Sequence, residues 1–522
     1  MTTARLQITM ILALAAAAHV AMFALAVGPK PAPSHDGAVS FLAATAHQGD
    51  YARILDQRTA PLETWATADT WQRLWQIDRR GAFIAIGDDL AHYDLHPPLY
   101  FWLLHLVFVF TGAKLWAALA LNAAISLVTL PVVFAFARRV LRSDTWGALA
   151  ALLWAISAGA LASSVQVRQY PLYALCTLVM CWSMMRLLAG RRIGRRTAML
   201  LFASVLAGLL THYHFIAVLL IGLIYLPIAA GPLKRGRAGV GALICLAAAI
   251  IAFALHPQFY LSFTNQYEIA ETFSYPAFLM RLRYAVAGTG QFFFCGKVGK
   301  MEVAAAVVAV VAVGRLLIFP TRRFAAMLHD ARFWTMVYFL AAFWAFTVGA
   351  HLTFHSPAHA IGHRYFALIW PLVACATVAV IRAWPHRSVL MAIVFLAMSY
   401  NAVITVRGFR AGFDRTVAAN TVIADARHIV LDDVRRGVLP PVLWLASPQA
   451  QVFAAPLDRL VSSPLAAAAP IGETLYVHIL PDHHGAPTLE QVHQSLWPGA
   501  QFDLVGRLPN NGQLLRVRAA TE

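Results

Sequence analysis

The segment "HYDLHPP" places an acid, an imidazole and two prolines directly before an apolar run. Asp94 is a candidate metal ligand or positioning group, and His96 is a candidate phosphate donor or general acid. Pro97 and Pro98 fix the backbone, and proline suits a helix start because no needed hydrogen-bond donor is lost there. A proline-initiated helix at a membrane surface would explain the prolines, but it would not explain the acid and the imidazole beside them.

Two further segments pair an arginine with a tyrosine. "VQVRQY" carries Gln166, Arg168 and Tyr170, and "GHRYF" carries Arg364 and Tyr365. A guanidinium matches phosphate oxygens in geometry and charge, so both arginines are candidates for binding an anionic head group. For Arg168 the alternative is that the side chain extends along the membrane to reach water at its surface. The sequence leaves both interpretations of Arg168 open.

An acid and a histidine complete the set of candidates. Asp36 follows the first apolar run within about ten residues, where a lipid head group would lie, although an aspartate there could also cap a helix. His212 and His214 flank Tyr213 in "THYHF", and their spacing does not favour a two-histidine metal site on one helix face. A hydrogen-bonded interfacial histidine and a histidine paired with an acid of the first loop are the two alternatives.

Composition places these residues in a membrane protein. The chain has 522 residues, of which 60% are hydrophobic and 12% charged, and its mean hydropathy is +0.64. Soluble domains carry about 25% charged residues. The formal net charge is +17, but the basic residues concentrate in short loops, which indicates membrane orientation and not nucleic-acid binding. Five cysteines without a C-x-x-C spacing predict neither a disulfide framework nor a zinc site.

The apolar runs predict about eleven transmembrane helices, because each has close to the ~17–25 residues that cross a bilayer. The first is too long for a signal-peptide core and is predicted to stay uncleaved. The predicted spans are 8–27, 115–137, 145–163, 170–188, 197–212, 213–231, 238–256, 301–319, 331–352, 363–381 and 388–405.

The basic loops set the predicted orientation. If residues 98–110 form a juxtamembrane helix that does not cross, the loops "ARRVLR", "GRRIGRR", "LKRGR", "TRR" and "RAWPHR" all fall on the cytoplasmic side. The run 98–110 is about 13 residues long, which is too short to span. The polar segments described above then meet at the outer face. They would line a cavity open to the bilayer, which suits a substrate with an apolar tail and a phosphate head.

Two domains are expected. Residues 1–405 form a transmembrane domain with a first outer loop at 28–114 and a second at 257–300. Residues 406–522 have the composition of a soluble domain, and we predict a small α/β fold there. The segments "VLWLA", "TLYVHIL", "FDLVGRL" and "LLRVR" are predicted as strands, and "TVIADARHIVLDDVRR" and "TLEQVHQSLW" as helices.

These motifs resemble the GT-C superfamily of glycosyltransferases that use polyprenyl-phosphate sugars. The group includes the protein O-mannosyltransferases and the lipid A aminoarabinose transferase. The likeness covers about residues 8–405 and is carried by "SHDGAVSFL" with Asp36, "HPPLYFWLLHL", the Q-x-R-x-Y element that ends at Tyr170, and "RY" at Arg364. The predicted topology, with a juxtamembrane helix inside a large first loop, is similar too.

The resemblance implies roles for the candidate residues. Asp36 would be the catalytic base, or the group that orients the acceptor, for inverting attack by an acceptor hydroxyl, with polyprenyl phosphate as the leaving group. Asp94 and His96 would also belong to the catalytic group. Arg168 and Arg364, together with Tyr170, Tyr365 and His96, would hold the donor phosphate. Asp94 with His212 could bind a divalent metal ion, as in some relatives; no other cofactor is implied.

The chain departs from its relatives at two places. Many relatives have Asp-Glu where this chain has Asp36-Gly37, and the aminoarabinose transferase has Glu-Lys where this chain has Leu95-His96. Aminoarabinose transfer is therefore not predicted. The sequence does not identify the sugar or the acceptor, which could be a lipid, a glycan or a protein.

We expect a multi-pass enzyme of the inner membrane with its active site and C-terminal domain on the periplasmic side. The alternative is a transporter or flippase of a lipid-linked substrate. A transporter needs ionisable residues at mid-membrane and on both sides, often within inverted repeats. Here the spans are nearly free of charge and the polar residues gather on one face, which favours the enzyme.

Overall fold

The structure is a computed structural model, and the residues that it describes are mostly helical, at 73%. It describes residues 3–28, 30, 32–94, 96–190, 193–259, ten single positions between 261 and 293, 311–312, 314–354, 363–432, 439–478, 489–508 and 512–519. Most of the predicted second loop, 257–300, and of the predicted span 301–319 lies outside these residues.

Within the described chain, six helices are long and apolar enough to cross a membrane. They include α1 (Thr3–Val27), α7 (Leu115–Leu141), α10 (Tyr170–Ala189) and α13 (Arg235–Leu255). The other two are α15 (Ala331–Phe354) and α17 (Arg387–Asp425). A multi-pass membrane protein is thereby confirmed, whereas the count of eleven spans stays a prediction.

Shorter apolar helices lie at other predicted spans. They are α11 (Arg195–Leu209), α12 (Phe215–Ala230) and α16 (Trp370–Ala383), the last preceded by a 3-10 turn at His363–Phe366. The predicted juxtamembrane run is α6 (Leu99–Thr111), a helix of 13 residues. α14 (Arg322–Leu328) lies in the predicted cytoplasmic loop before α15.

One predicted span is broken. α8 (Asp144–Ala155) and α9 (Ala158–Ser164) are bent by 55° relative to each other. A helix that ends inside a membrane leaves carbonyls that must find donors. His19 of α1 supplies one, since its Nδ1 lies 2.9 Å from the Ala155 carbonyl, and Ser157 caps α9. The hydrogen bond to the end of α8 therefore accounts for a buried histidine in the first predicted span.

The chain divides into two compact units, which we describe separately. The first comprises residues 1–26, 94–100 and 119–408. The second comprises residues 27–93, 101–118 and 409–522. The helices of the second unit's first loop are α2 (His35–Thr45), α3 (Gln48–Gln57), α4 (Ala68–Gln72) and α5 (Phe83–Tyr93).

The second unit contains a six-stranded sheet in the order β1-β3-β2-β4-β6-β5. Its strands are β1 (Ala66–Thr67), β2 (His428–Leu431), β3 (Gln451–Ala454), β4 (Thr474–His478), β5 (Ala500–Arg507) and β6 (Gln513–Ala519). β2 runs parallel to β3 and β4, and the remaining pairs are antiparallel. The central strands are buried on both faces, as is usual for parallel strands.

Short helices connect these strands. They are α18 (Leu439–Leu445), α19 (Leu457–Leu460), α20 (Pro464–Ala467) and α21 (Leu489–Leu496). Tyr476, Trp497 and Val517 contribute to the core of this sheet. The predicted strand "VLWLA" is wrong, because Val442–Leu445 lies in α18. The predicted helix over 421–436 is wrong beyond Asp425, because His428–Leu431 is β2.

The first outer loop shares this sheet. Ala66 of β1 pairs with Val452 of β3 in antiparallel register. Phe41 of α2 packs edge-on against Trp444 of α18, with ring centroids 4.9 Å apart. The residues of the first loop and of the C-terminal region thus fold together within the second unit, and the predicted division at residue 405 stays a prediction.

Candidate active site

The elbow before α6 brings together the first two candidates. The Nδ1 of His96 lies 2.7 Å from Oδ1 of Asp94, and their side chains are 18% and 9% exposed. A carboxylate only accepts hydrogen bonds, so Nδ1–H of His96 donates and Nε2 points away from Asp94. Two buried prolines follow, and the N–H of Leu99 donates to the Leu210 carbonyl at the end of α11. The elbow is therefore fixed within the first unit.

Asn122 of α7 holds the arginine-bearing loop in place. Its Oδ1 accepts from the Tyr100 hydroxyl at 3.0 Å, and its Nδ2 donates to the carbonyls of Gln166 and of Arg168, the latter at 3.3 Å. Asn122 is fully buried. One amide thus links α7, the start of α6 and the segment "VQVRQY". A polar residue in an apolar span needs such partners, because none are available from lipid.

Aromatic rings gather around His212, which lies between α11 and α12. Its ring centroid is 6.0 Å from that of His96, 5.9 Å from Tyr170, 6.4 Å from Tyr365 and 5.0 Å from Tyr173, on which it stacks at 28°. Three other chain segments therefore meet at this histidine. Its Nδ1 also accepts from the backbone N–H of His214 at 3.1 Å.

The cations lie in the same cluster. The Cζ of Arg364 is 5.8 Å from the Tyr170 ring centroid and 5.6 Å from that of Tyr365, within the range of cation–π attraction. The two tyrosine rings meet edge-on at 5.7 Å. Arg168 is 7% exposed and interacts electrostatically with Tyr170 and Tyr100. Two guanidinium groups next to buried rings can attract an anion, because a low dielectric strengthens their field.

The structure thus brings together Asp94, His96, Arg168, Tyr170 and His212, with Arg364 and Tyr365 beside them. We call this set the anion cluster. All its members belong to the first unit. Their roles in catalysis or donor binding stay predictions.

Metal binding by Asp94 and His212 also stays a prediction. Among the described residues, no group of three or more His, Cys, Asp or Glu side chains is placed to hold a metal ion. Protein metal sites commonly use three or four such ligands. Here Oδ1 of Asp94 already accepts from His96. No step below depends on a metal ion.

Asp36 lies in the second unit, in the first turn of α2. The cap of this helix is Ser34, whose side chain accepts from the N–H of Gly37 at 3.4 Å, so Asp36 does not serve as the N-cap. The position favours a carboxylate, because the N-terminus of a helix carries partial positive charge. The side chain is partly exposed.

Three bonds anchor α2 within the second unit. The Thr45 hydroxyl donates to the Leu74 carbonyl at 2.9 Å, and the Trp75 indole donates to the Ala38 carbonyl at 3.2 Å. His105 of α6 donates from Nδ1 to the Ala44 carbonyl at 2.8 Å. These contacts fix the helix that carries Asp36.

A second polar cluster, which the sequence did not indicate, lies in the sheet. Oδ2 of Asp432 accepts from the Tyr476 hydroxyl and from Nδ1 of His478, each at 2.5 Å. All three residues are buried, and burial next to Asp432 raises the pKa of the Tyr476 hydroxyl. The three groups satisfy one another, so we assign this cluster to the stability of the second unit.

Sequence reasoning missed three buried polar residues of the anion cluster's surroundings. They are Asn122, Gln169 and Tyr173. Asn122 could have been found as the single amide inside the apolar run of α7. Gln169 and Tyr173 lie four residues apart, a spacing that places them on one helix face.

The fold is similar to that of known GT-C membrane glycosyltransferases. Residues 95–256 match the family model of dolichyl-phosphate-mannose-protein mannosyltransferases. The structure is similar to that of ArnT from Cupriavidus metallidurans bound to undecaprenyl phosphate, with a TM-score of 0.53 and 12% identity over 96% of this chain and 97% of that chain. The apo state of the same protein gives a TM-score of 0.54 and 12% identity over 98% of each chain. No curated protein sequence matches the chain.

These comparisons support the resemblance to GT-C glycosyltransferases that the motifs indicated. The likeness to ArnT extends over nearly the whole chain and includes the C-terminal region. At this identity it shows the fold, and the matched family segment contains His96, Arg168, Tyr170 and His212.

Proposed function

We propose that the protein transfers a sugar from a polyprenyl-phosphate donor to an acceptor hydroxyl. The observation that carries the proposal is the position of Arg364 over the Tyr170 and Tyr365 rings, in the same cluster as the buried Arg168. A chain with an ArnT-like fold that gathers such cations at one site suits a lipid phosphate. ArnT was crystallised with undecaprenyl phosphate, and we extend that ligand class to this chain.

The donor phosphate is held by charge and by hydrogen bonds. Arg168 and Arg364 neutralise it, and the Tyr170 and Tyr365 hydroxyls donate to its oxygens. As the doubly protonated imidazolium, His96 donates from Nδ1 to Asp94 at 2.7 Å and from Nε2 to the phosphate. These contacts strengthen as the bridging oxygen gains negative charge, so they stabilise the transition state more than the ground state.

The reaction is a single displacement with inversion. The acceptor oxygen attacks the anomeric carbon while the bond from that carbon to the phosphate oxygen breaks, and the electron pair leaves with polyprenyl phosphate. Asp36 takes the proton of the acceptor hydroxyl. Base catalysis of this kind contributes about 10²- to 10⁴-fold to the rate.

We place the reaction on the periplasmic side of the inner membrane. The support is the distribution of basic loops, which assigns the ends of the spans that carry Arg168, His212 and Arg364 to the outer face. The acceptor is a lipid, a glycan or a protein that reaches that face.

The test is turnover by the full chain in proteoliposomes. Undecaprenyl-phosphate sugars, labelled in the sugar, are supplied with an envelope extract as the acceptor source. We expect release of undecaprenyl phosphate together with labelled product for at least one sugar. Asp36→Asn lowers the rate by about 10²-fold or more, as expected for loss of a general base.

The matched control is Asp56→Asn, which changes an exposed acid of the same unit and leaves the rate unchanged. Movement of intact donor across the bilayer without cleavage would contradict the proposal and favour a flippase. Equal rates for Asp36→Asn and the parent protein would remove Asp36 from the mechanism.

A further inference from the structure

Gln169 lies just before α10, at the edge of the anion cluster, and its side chain is buried. Its exposed fraction is 0%, and within the described part of the chain neither Oε1 nor Nε2 has a hydrogen-bond partner. Buried polar atoms are nearly always paired, because leaving one unpaired costs its full desolvation penalty. An amide with both ends unpaired indicates a site where another molecule supplies a donor and an acceptor together.

Tyr173 presents a second group of this kind one turn further along α10. Its hydroxyl is buried and has no hydrogen-bond partner among the described residues, although its ring stacks on His212 at 5.0 Å. The N–H of Tyr173 donates to the Gln169 carbonyl at 3.0 Å, so the two residues lie on the same helix face. The Tyr173 ring therefore borders the anion cluster through His212, and Gln169 lies one helical turn away, next in sequence to Arg168 and Tyr170.

We propose that Gln169 and Tyr173 bind hydroxyl groups of the donor sugar and so determine which sugar is accepted. This inference rests on the proposed function. A phosphate accepts hydrogen bonds and would leave Oε1 of Gln169 facing negative charge, whereas a sugar hydroxyl both donates and accepts and so satisfies both ends of the amide. The phosphate already has Arg168 and Arg364.

The arrangement predicts strong discrimination. A site built to hydrogen-bond a hydroxyl rejects an analogue that lacks it, because the buried partners are then left unpaired again. Sugars with a hydroxyl at the position that meets Gln169 are accepted, and the matching deoxy sugar is rejected.

The parent protein is first titrated, as the solubilised full chain, with the glucose, galactose and mannose esters of undecaprenyl phosphate. The experiment then compares binding of undecaprenyl phosphate with binding of the sugar ester that the parent protein binds most tightly. Gln169→Met keeps the side-chain length and removes both polar atoms, and Tyr173→Phe removes one hydroxyl. We expect each variant to weaken binding of the sugar ester by at least about tenfold, while binding of undecaprenyl phosphate is unchanged. We also expect Gln169→Met to unfold at a higher temperature than the parent protein without ligand, because an unpaired buried amide is gone.

The outcomes separate this inference from the proposed function. If the parent protein binds no undecaprenyl phosphate compound, the proposed function fails. If it binds both ligands and neither variant changes the preference for the sugar ester, the inference is wrong and the function stands. Loss of thermal stability in both variants, with equal weakening of both ligands, would assign the two residues a structural role and would also overturn the inference.

Discussion

Gly208 gives the sharpest stability prediction, because its surroundings leave no room for a side chain. A Cβ added there would lie 2.2, 2.3 and 2.4 Å from three ring atoms of Phe215. Carbon atoms in contact are about 3.5–4.0 Å apart, so the ring would have to move by more than about 1 Å. Phe215 is 0% exposed and meets Tyr173 edge-on at 6.2 Å, so the surrounding packing resists that movement.

The magnitude follows from two opposing effects. An alanine replacing a glycine inside a helix gains about 0.5–1 kcal/mol from reduced backbone freedom of the unfolded chain. Overpacking a close-packed interior costs about 1–3 kcal/mol. For Gly208→Ala the second effect wins, and we expect a net loss of about 1–2 kcal/mol in the free energy of unfolding.

Gly222→Ala is the matched control. A Cβ at Gly222 would lie 2.8 Å from Cε and 3.0 Å from Sδ of Met184, and 3.1 Å from Cε of Met180. These atoms end flexible side chains that can rotate away at little cost. We expect Gly222→Ala to be as stable as the parent protein or slightly more stable.

The assay is thermal unfolding of the two variants and the parent protein in the same detergent. Gly208→Ala should unfold several degrees below the parent protein and Gly222→Ala at or above it. The reverse order, or a Gly208→Ala variant as stable as the parent protein, would show that α11 and α12 do not pack as described.

Three further predictions concern single polar contacts. Burial raises the pKa of the Asp89 carboxyl, so the folded state disfavours its charged form at neutral pH. Asp89→Asn should therefore stabilise the protein at pH 7. Chemical unfolding across pH should show this gain shrinking as the pH falls through the raised pKa toward the ordinary aspartate value of about 3.9. A pH-independent effect would contradict that reasoning. Tyr476→Phe should lower the free energy of unfolding by about 1–3 kcal/mol, because the buried Asp432 loses one of its two hydrogen-bond donors. The measurement is unfolding monitored by Trp fluorescence, and a variant as stable as the parent protein would contradict the prediction. Asp94→Asn should weaken undecaprenyl phosphate binding by about tenfold, because the charge-assisted hydrogen bond that orients His96 is lost. Unchanged affinity in a titration would show that Asp94 and His96 do not belong to the donor site.

The elements that sequence reasoning identified correctly are those whose pattern is local. The long apolar runs of α1, α7 and α10 stand out by length alone, and the short run "TLYVH", rich in β-branched and aromatic residues, marks β4. The segment "VLWLA" has the same local appearance but lies in α18, because its position next to α2 decides its structure. β1 has only two residues and exists through its pairing with β3, which no local pattern reveals.

The residues of the candidate site also divide into those with a local sequence signal and those without one. Asp94, His96 and Arg364 were recognisable because charged residues are unusual beside apolar runs. Gln169 and Tyr173 were not, since neutral polar residues in a helix face become informative only when burial and missing hydrogen-bond partners are known. The common cluster around His212 depends on contacts between segments far apart in sequence.

Binding of undecaprenyl phosphate by the full chain tests the central claim most directly. Native mass spectrometry of the solubilised protein would compare undecaprenyl phosphate with uncharged undecaprenol, for the parent protein, Arg364→Ala and Arg186→Ala. Arg186 is the matched control, an exposed arginine whose Cζ lies 4.7 Å from the Trp182 ring at the other end of α10. We expect one bound undecaprenyl phosphate that Arg364→Ala loses and Arg186→Ala keeps, with little binding of undecaprenol. Equal binding of both lipids, or equal binding by both variants, would contradict it.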